Sequence, residues 1–382
     1  MNFKFLRFAA FAAAGLSLVA NLSAHSLGSR IRQPERPRME VVFVLDTTGS
    51  MSGMIAGAKQ KIWAIANKLK SAQPTPEIRF GLVGYRDRRD EYVTRVFGLS
   101  GNLDEVYTNL QAFEAQGGGD EPESVNEALH RAVRDLQWSD DPDVLRVVFL
   151  VGDARPHMDY QDDVKYPETC RIASERGILI NTLQCGRLTG TEQVWREIAS
   201  RTNGTYGAIL QDGGTIKIDT RYDQEIIRLN VELDATIIRY GSKAEQANAA
   251  ANSARLAKMA SEAVADRSSY LAKSEAGAVM SGRGDLVVEV MNGRESVDKL
   301  DESKLDPKLQ ALAPAARAEV IQQKVEERQR LQAELAAVVA KRDAAVAEKL
   351  KALEGKDGVL ELEAFQVLES QAKEKGYRFE KR

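Results

Sequence analysis

The sequence predicts an α/β fold: a doubly wound, mostly parallel sheet with one antiparallel edge strand, followed by an α-helical tail. Three observations carry this reading. Continuous apolar runs such as Val41 to Leu45 and Val144 to Val151 have the composition of strands covered on both faces. Apolar residues at helical spacing come between such runs, as in Met54, Ile55, Ile62, Ile65 and Leu69. The charged turn Arg86-Asp87-Arg88-Arg89-Asp90 joins two strand-like runs over too short a distance for a helical crossover, which makes that pair antiparallel.

The elements follow in order. Lys4 and Arg7 precede an apolar run from Phe8 to about Ala20 that closes on Leu22-Ser23-Ala24, so residues 1–24 read as a secretory signal peptide, with a retained anchor as the alternative. The expected protein is exported, periplasmic or secreted. No later stretch of about 18 apolar residues follows, so no membrane span is expected after cleavage. Cleavage removes two basic residues and no acid, moving the formal net charge from −3 to −5. A mildly acidic chain argues against nucleic acid as the partner. Residues 25–38 are polar, rich in arginine and proline, and read as a flexible lead-in.

A sheet domain is expected over residues 39–240. After the first strand and helix come strands over Ile78 to Tyr85 and Glu91 to Leu99, a helix over Leu103 to Phe113, a glycine-rich loop and a helix over Val125 to Leu136. Strands over Val144 to Val151, Ile178 to Leu183 and Thr205 to Leu210 then alternate with helices over Glu168 to Glu175, Trp195 to Thr202 and Gln224 to Leu233. Trp63, Trp138 and Trp195 read as core or helix-packing residues, and the turn from Arg86 to Asp90 as solvated.

Residues 241–382 read as α-helical and coiled-coil-like. An alanine- and charge-rich stretch, Lys243 to Ala276, precedes a short island, Gly284 to Met291, and a long helix from Ala315 to about Leu353. Arg328, Gln332 and Arg342 interrupt the apolar stripe of that helix, so no strict heptad seam is kept. The helix is therefore expected to fold back on Lys243 to Ala276, with oligomerisation through the tail a further role open to it. Arg283-Gly284-Asp285 spells the tripeptide that integrins bind, but three residues recur by chance and this one precedes an apolar run.

Cys170 lies near the start of one expected helix and Cys185 at the end of the following strand, positions that share one edge of a parallel sheet. In an oxidising compartment the pair reads as a disulfide contributing about 3 kcal/mol, with two buried thiols as the alternative.

The chemistry concentrates at strand ends. Val41 to Leu45 runs into Asp46-Thr47-Thr48-Gly49-Ser50, and in extended chain Asp46, Thr48 and Ser50 point to one side. One carboxylate and two hydroxyls suit a hard cation such as magnesium, manganese or calcium. A phosphate cradle is the weaker reading, because the loop lacks a P-loop lysine and Asp46 would repel an anion. Two further stretches add acids at the same sheet edge: Gly117-Gly118-Gly119-Asp120-Glu121-Pro122-Glu123, and Asp153 after the run Val148 to Gly152. Such acids would repel one another without a cation between them.

In this order, DTTGS, GGGDEPE and LVGDARPH, the motifs resemble the von Willebrand factor type A (VWA) domain with its metal-ion-dependent adhesion site (MIDAS), over roughly Met39 to Tyr240. The resemblance implies a Rossmann-like fold of the exported bacterial type and a divalent cation, Mg2+ before Mn2+ or Ca2+. It implies that Thr48 and Ser50 bind the metal directly, that Asp46 and Asp153 hold it through waters, and that Asp120 is the second-loop ligand, with Glu121 the runner-up. It also implies a protein partner able to complete the site with an acidic residue. The expected function is thus non-enzymatic, metal-dependent protein–protein interaction or adhesion. A metal-assisted hydrolase, with Asp120, Glu121 or His157 as base, and a partner subunit of a larger complex are the alternatives.

Overall fold

The computed structural model describes residues 37–119, 121–214, 216–273, 284–352 and 359–379. The apolar leader, the lead-in to residue 36, Asp120 and Arg283 lie outside them.

The first half alternates as expected: β1 (Arg38–Asp46), α1 (Ser52–Lys70), β2 (Glu77–Tyr85), β3 (Thr94–Ser100), α2 (Leu103–Gln111), α3 (Val125–Arg134), β4 (Leu145–Gly152), α4 (Tyr166–Glu175), β5 (Ile178–Cys185), α5 (Thr191–Arg201) and β6 (Tyr206–Ile209). The strands form one sheet in the order β3-β2-β1-β4-β5-β6, parallel except for the antiparallel pair of β2 and β3. Every residue of β4 is buried, as a strand covered on both faces requires.

Successive side chains of these strands enter opposite layers. Val41, Phe43, Leu45, Phe80, Leu82 and Phe149 pack under α1 and α2, whereas Val42, Val44, Val83, Val148 and Leu150 pack under α3, α4 and α5. Trp63 and Trp195 are buried in one layer each, as core residues.

The second half is helical: α6 (Asp223–Asp234), α7 (Lys243–Leu256), α8 (Ser261–Ala272), α9 (Leu286–Met291), α10 (Pro307–Gln310), α11 (Pro314–Lys351) and α12 (Leu360–Glu374). A capping box of Ser242 and Glu245 opens α7. Leu331, Leu335 and Val339 of α11 pack with Ile226, Leu229 and Leu233 of α6 and Ala265 of α8, so the long helix does fold back and uses its apolar stripe within the chain. Among the described residues, no helix is long and apolar enough to cross a membrane.

The charges that interrupt this stripe are paired rather than solvated. Arg328 Nη1 lies 3.0 Å from Asp285 Oδ2, and both side chains are fully buried. Arg342 reaches Asp223 of α6 at 2.8 Å and Asp266 of α8 at 2.7 Å. Lys61 of α1 meets Glu262 of α8 at 2.6 Å, and Arg267 of α8 grips both oxygens of Asp104 of α2 at 2.7 Å. Asp285, the acid of the integrin-like tripeptide, is therefore committed to the interior; it also caps α9 by accepting from the Val287 N–H at 3.1 Å.

The expected disulfide is not formed. Both cysteines are free and buried, Cys170 in the α3–α5 layer and Cys185 in the opposite layer, because side-chain alternation along β5 turns Cys185 away from α4. Burial pushes the Cys170 thiol up to about 12, which keeps it protonated and unreactive. Dithiothreitol is expected to leave the melting temperature of the native protein unchanged, and both thiols should react with a thiol reagent only after denaturation. A fall in melting temperature on reduction would reinstate the bridge.

Candidate metal centre

Strand order reverses at β1, whose neighbours β2 and β4 lead to opposite edges; the carboxyl ends of the strands around such a point form a ligand crevice. Asp46 ends β1, and because Leu45 pairs with Val151, Asp153 leaves β4 directly beside it. A short 3-10 turn, Gly49–Met51, then leads into α1. Asp46 Oδ1 accepts from the Thr48 backbone N–H at 2.9 Å and the Thr48 hydroxyl at 2.6 Å, and Thr48 Oγ1 stands 3.3 Å from Ser50 Oγ. Asp153 Oδ2 accepts from Gln211 Nε2 at 2.8 Å. The fold thus brings together Asp46, Thr48, Ser50 and Asp153.

Of the second-loop acids, Asp120 lies outside the described residues and Glu121 is exposed. Glu123 is the buried one. Its backbone is held by a ladder-like exchange with the loop after β4: Glu123 N–H donates to Arg155 O, and His157 N–H donates to Glu123 O, both at 3.0 Å. The sequence reading passed over Glu123 in GGGDEPE, although its position two residues before α3 was a usable signal. Two glycines let the loops close. Gly118, at φ +75°, leaves no room for a Cβ, which would stand 2.9 Å from Thr48 Cβ and 3.4 Å from Glu123 Oε1. At Gly152 a Cβ would lie 2.4 Å from the Tyr85 hydroxyl and 3.0 Å from Asp46 Cβ.

The electrostatics are those of buried carboxylates that raise one another. Burial, reinforced by Asp153, pushes Asp46 up to about 7 despite the hydrogen bonds from Thr48. Burial also pushes Glu123 up to about 9, with Asp46 and Asp87 adding to it. Asp46 Oδ2, Glu123 Oε2 and the Tyr85 hydroxyl are buried without a hydrogen-bond partner, and among the described residues no lysine or arginine pairs with Asp46, Glu123 or Asp153. Nor do three His, Cys, Asp or Glu side chains among the described residues gather as a metal-binding cluster. The donors at hand are instead a mixed set of hydroxyls and carboxylates, which fits a hard divalent cation and not zinc's usual nitrogen and sulfur ligands.

The Arg86–Asp90 turn, expected to be solvated, instead scaffolds the site. Arg86 is buried: its Nε donates to Thr47 O at 3.2 Å, its Nη2 to Glu114 O at 2.8 Å, and its guanidinium lies over Tyr92. Asp87 accepts from the Ser124 and Tyr160 hydroxyls, both at 2.8 Å, and Asp90 accepts from the Gly118 N–H at 3.1 Å. Arg86 and the half-buried Asp90 satisfy loop backbone that helices and strands would satisfy elsewhere, while the buried Asp87 gathers two hydroxyls. His157 is held by Asp159 through Nδ1 at 2.7 Å and stacks on Tyr160.

Comparison with known proteins agrees with the geometry. Residues 40–220 match the family model described as the von Willebrand factor A domain. The chain is 30% identical over 121 residues to alpha-protein kinase vwkA of Dictyostelium discoideum, covering 31% of this chain and 19% of that protein. It is 32% identical over 153 residues to the human von Willebrand factor A domain-containing protein 7, covering 38% of this chain and 16% of that one. The chain thus spans less than a fifth of either relative. Among solved structures it is similar to proximal thread matrix protein 1 of the mussel byssus, including a form with a zinc-occupied MIDAS motif, at 16% identity and a TM-score of 0.36, over 46% of this chain and 43% of that one. At that score the superposition places no residue of the site. With the family match and the observed sheet order, residues 40–220 form a von Willebrand factor A domain.

Proposed function

We propose that the protein is exported, binds one divalent cation, Mg2+ foremost, at the carboxyl edge of its sheet, and uses it to bind a protein partner without catalysing a reaction. Thr48, Ser50, Asp46 and Asp153 would hold the cation, with a second-loop acid completing the charge. Bound, it would supply a Lewis-acidic position for a partner's oxygen ligand. The observation that carries this reading is the buried trio Asp46, Glu123 and Asp153, which has no cationic side chain to neutralise it among the described residues. The signal-like leader supports export.

The test is thermal unfolding of the metal-stripped chain against Mg2+, Mn2+ and Ca2+. Stabilisation of about 2.7 kcal/mol is expected at a hundredfold excess over Kd, and none in a Ser50→Ala, Asp153→Ala variant. Equal stabilisation of both proteins, or of neither, would overturn the assignment.

A further inference from the structure

A tyrosine outside the three loop motifs reaches into the candidate cation site. Tyr85 closes β2, where parallel register sets it beside Asp46 at the end of β1. Thr47 pins it there, its backbone N–H and its hydroxyl both donating to Tyr85 O at 2.8 Å. Side chains alternate along each strand, so the run from Val44, Val83 and Leu150, all in the layer under α3, α4 and α5, carries Asp46, Tyr85 and Gly152 to one face of the sheet.

Gly152 is the gap in that row. The place its Cβ would take lies 2.4 Å from the Tyr85 hydroxyl, 3.0 Å from Asp46 Cβ and 3.2 Å from Asp46 Oδ2, so the phenol leans across β1 and ends beside Asp46, over the glycine that precedes Asp153. Tyr85 and Asp46 are both fully buried, and neither the hydroxyl nor Asp46 Oδ2 has a hydrogen-bond partner among the described residues. Asp46 Oδ1 already accepts twice from Thr48, which leaves Oδ2 as the unsatisfied oxygen. Burial, and after it the charges of Asp46, Asp153 and Glu123, raise the phenol well above its usual range, so its proton stays on and the group is an O–H donor set among carboxylates.

We infer that Tyr85 is a positioning residue of the cation site, its O–H serving as the donor that fixes the Asp46 carboxylate when a divalent cation is bound. A cation keeps Asp46 ionised, and an ionised carboxylate takes a shorter and stronger bond from a hydroxyl than a neutral acid does. Carboxylates that bind metals are themselves held by hydrogen bonds from groups outside the ligand set, and losing such a bond weakens metal affinity about 10–100-fold. Gly152 acquires a role from the same geometry: it keeps open the space that the hydroxyl and the carboxylate share. The inference rests on the cation-binding reading, because Asp46 is what the hydroxyl would position.

The experiment is Mg2+ titration of the full chain by calorimetry beside Tyr85→Phe, which removes the oxygen and keeps the ring. The Kd of the variant is expected to be weaker by about tenfold or more. The melting temperature of the metal-free variant is expected to stay the same or rise, because an unpartnered buried hydroxyl has been taken away. A second readout is optical: saturating Mg2+ should give a tyrosine ultraviolet difference spectrum in the unaltered chain, and that signal should be missing from Tyr85→Phe. Equal Mg2+ affinity in the two proteins, or a difference spectrum undiminished in the variant, would overturn the inference and leave the cation reading standing. A metal-free melting temperature that falls together with the affinity would make Tyr85 a packing residue and overturn it as well. An unaltered chain that binds no Mg2+ would remove both readings.

Discussion

A chain ended after residue 352, before α12, is expected to lose its cooperative unfolding transition. Leu360, Ala364, Leu368 and Ala372 recur every fourth residue and lie in the same apolar layer as α1 and the sheet, as do Tyr377 and Phe379 beyond the helix. Burial of large apolar side chains contributes about 1.5–3 kcal/mol each, so removing these costs on the order of 10 kcal/mol, comparable with the whole stability of a typical domain. Polar losses add to it. Asn181 of β5 and Gln371 exchange two buried amide hydrogen bonds at 3.1 and 2.8 Å, and Gln73 and Arg378 exchange two backbone bonds at 2.7 and 2.8 Å. The shortened chain would leave Asn181 buried or wetted without its partner. Near-ultraviolet circular dichroism and urea titration check this: a sharp transition with native aromatic signals in the shortened chain would show that α12 is dispensable. The same reasoning predicts that residues 40–220 alone, the span of the family match, do not fold stably.

Replacing Arg328 by methionine is expected to destabilise the chain by about 3–5 kcal/mol, because it breaks the fully buried ion pair with the Asp285 carboxylate. The Thr236 hydroxyl loses the guanidinium donor and keeps its own bond to Leu233 O. The companion variant Arg328→Met, Asp285→Asn should recover a large part of the loss, since asparagine carries no charge and can still accept from the Val287 N–H at the start of α9. Chemical denaturation of the two variants decides the matter. If the double variant is no more stable than the single one, packing around the guanidinium, and not the broken ion pair, is what holds α11 to α9.

Much of the sheet domain was legible because its signals are local. Runs buried on both faces, apolar residues at helical spacing and a crossover too short for a helix are properties of neighbouring residues, and each is an observed element close to its expected bounds. Asp46, Thr48, Ser50 and Asp153 were legible for the same reason: each sits at or just after a strand end, and parallel strands deliver their ends to one edge. Glu123 was not, because three acids within four residues compete in GGGDEPE and only the loop's exchange with Arg155 and His157 turns one of them inward.

The sequence by itself determined the strand order's raw material, the antiparallel edge and the oxygen-rich loop after β1, since local periodicity and chain direction are written residue by residue. Tertiary structure alone decided which charges are buried and with whom. Arg328 and Arg342 read as breaks in an apolar stripe, Arg86 to Asp90 as a solvated turn, and Cys170 with Cys185 as a bridge. Each reading changed once the partners were in place, because the free energy of a charge or a thiol depends on what lies within a few ångströms in space, and those neighbours stand far away along the chain: 43 residues between Arg328 and Asp285, 119 between Arg342 and Asp223.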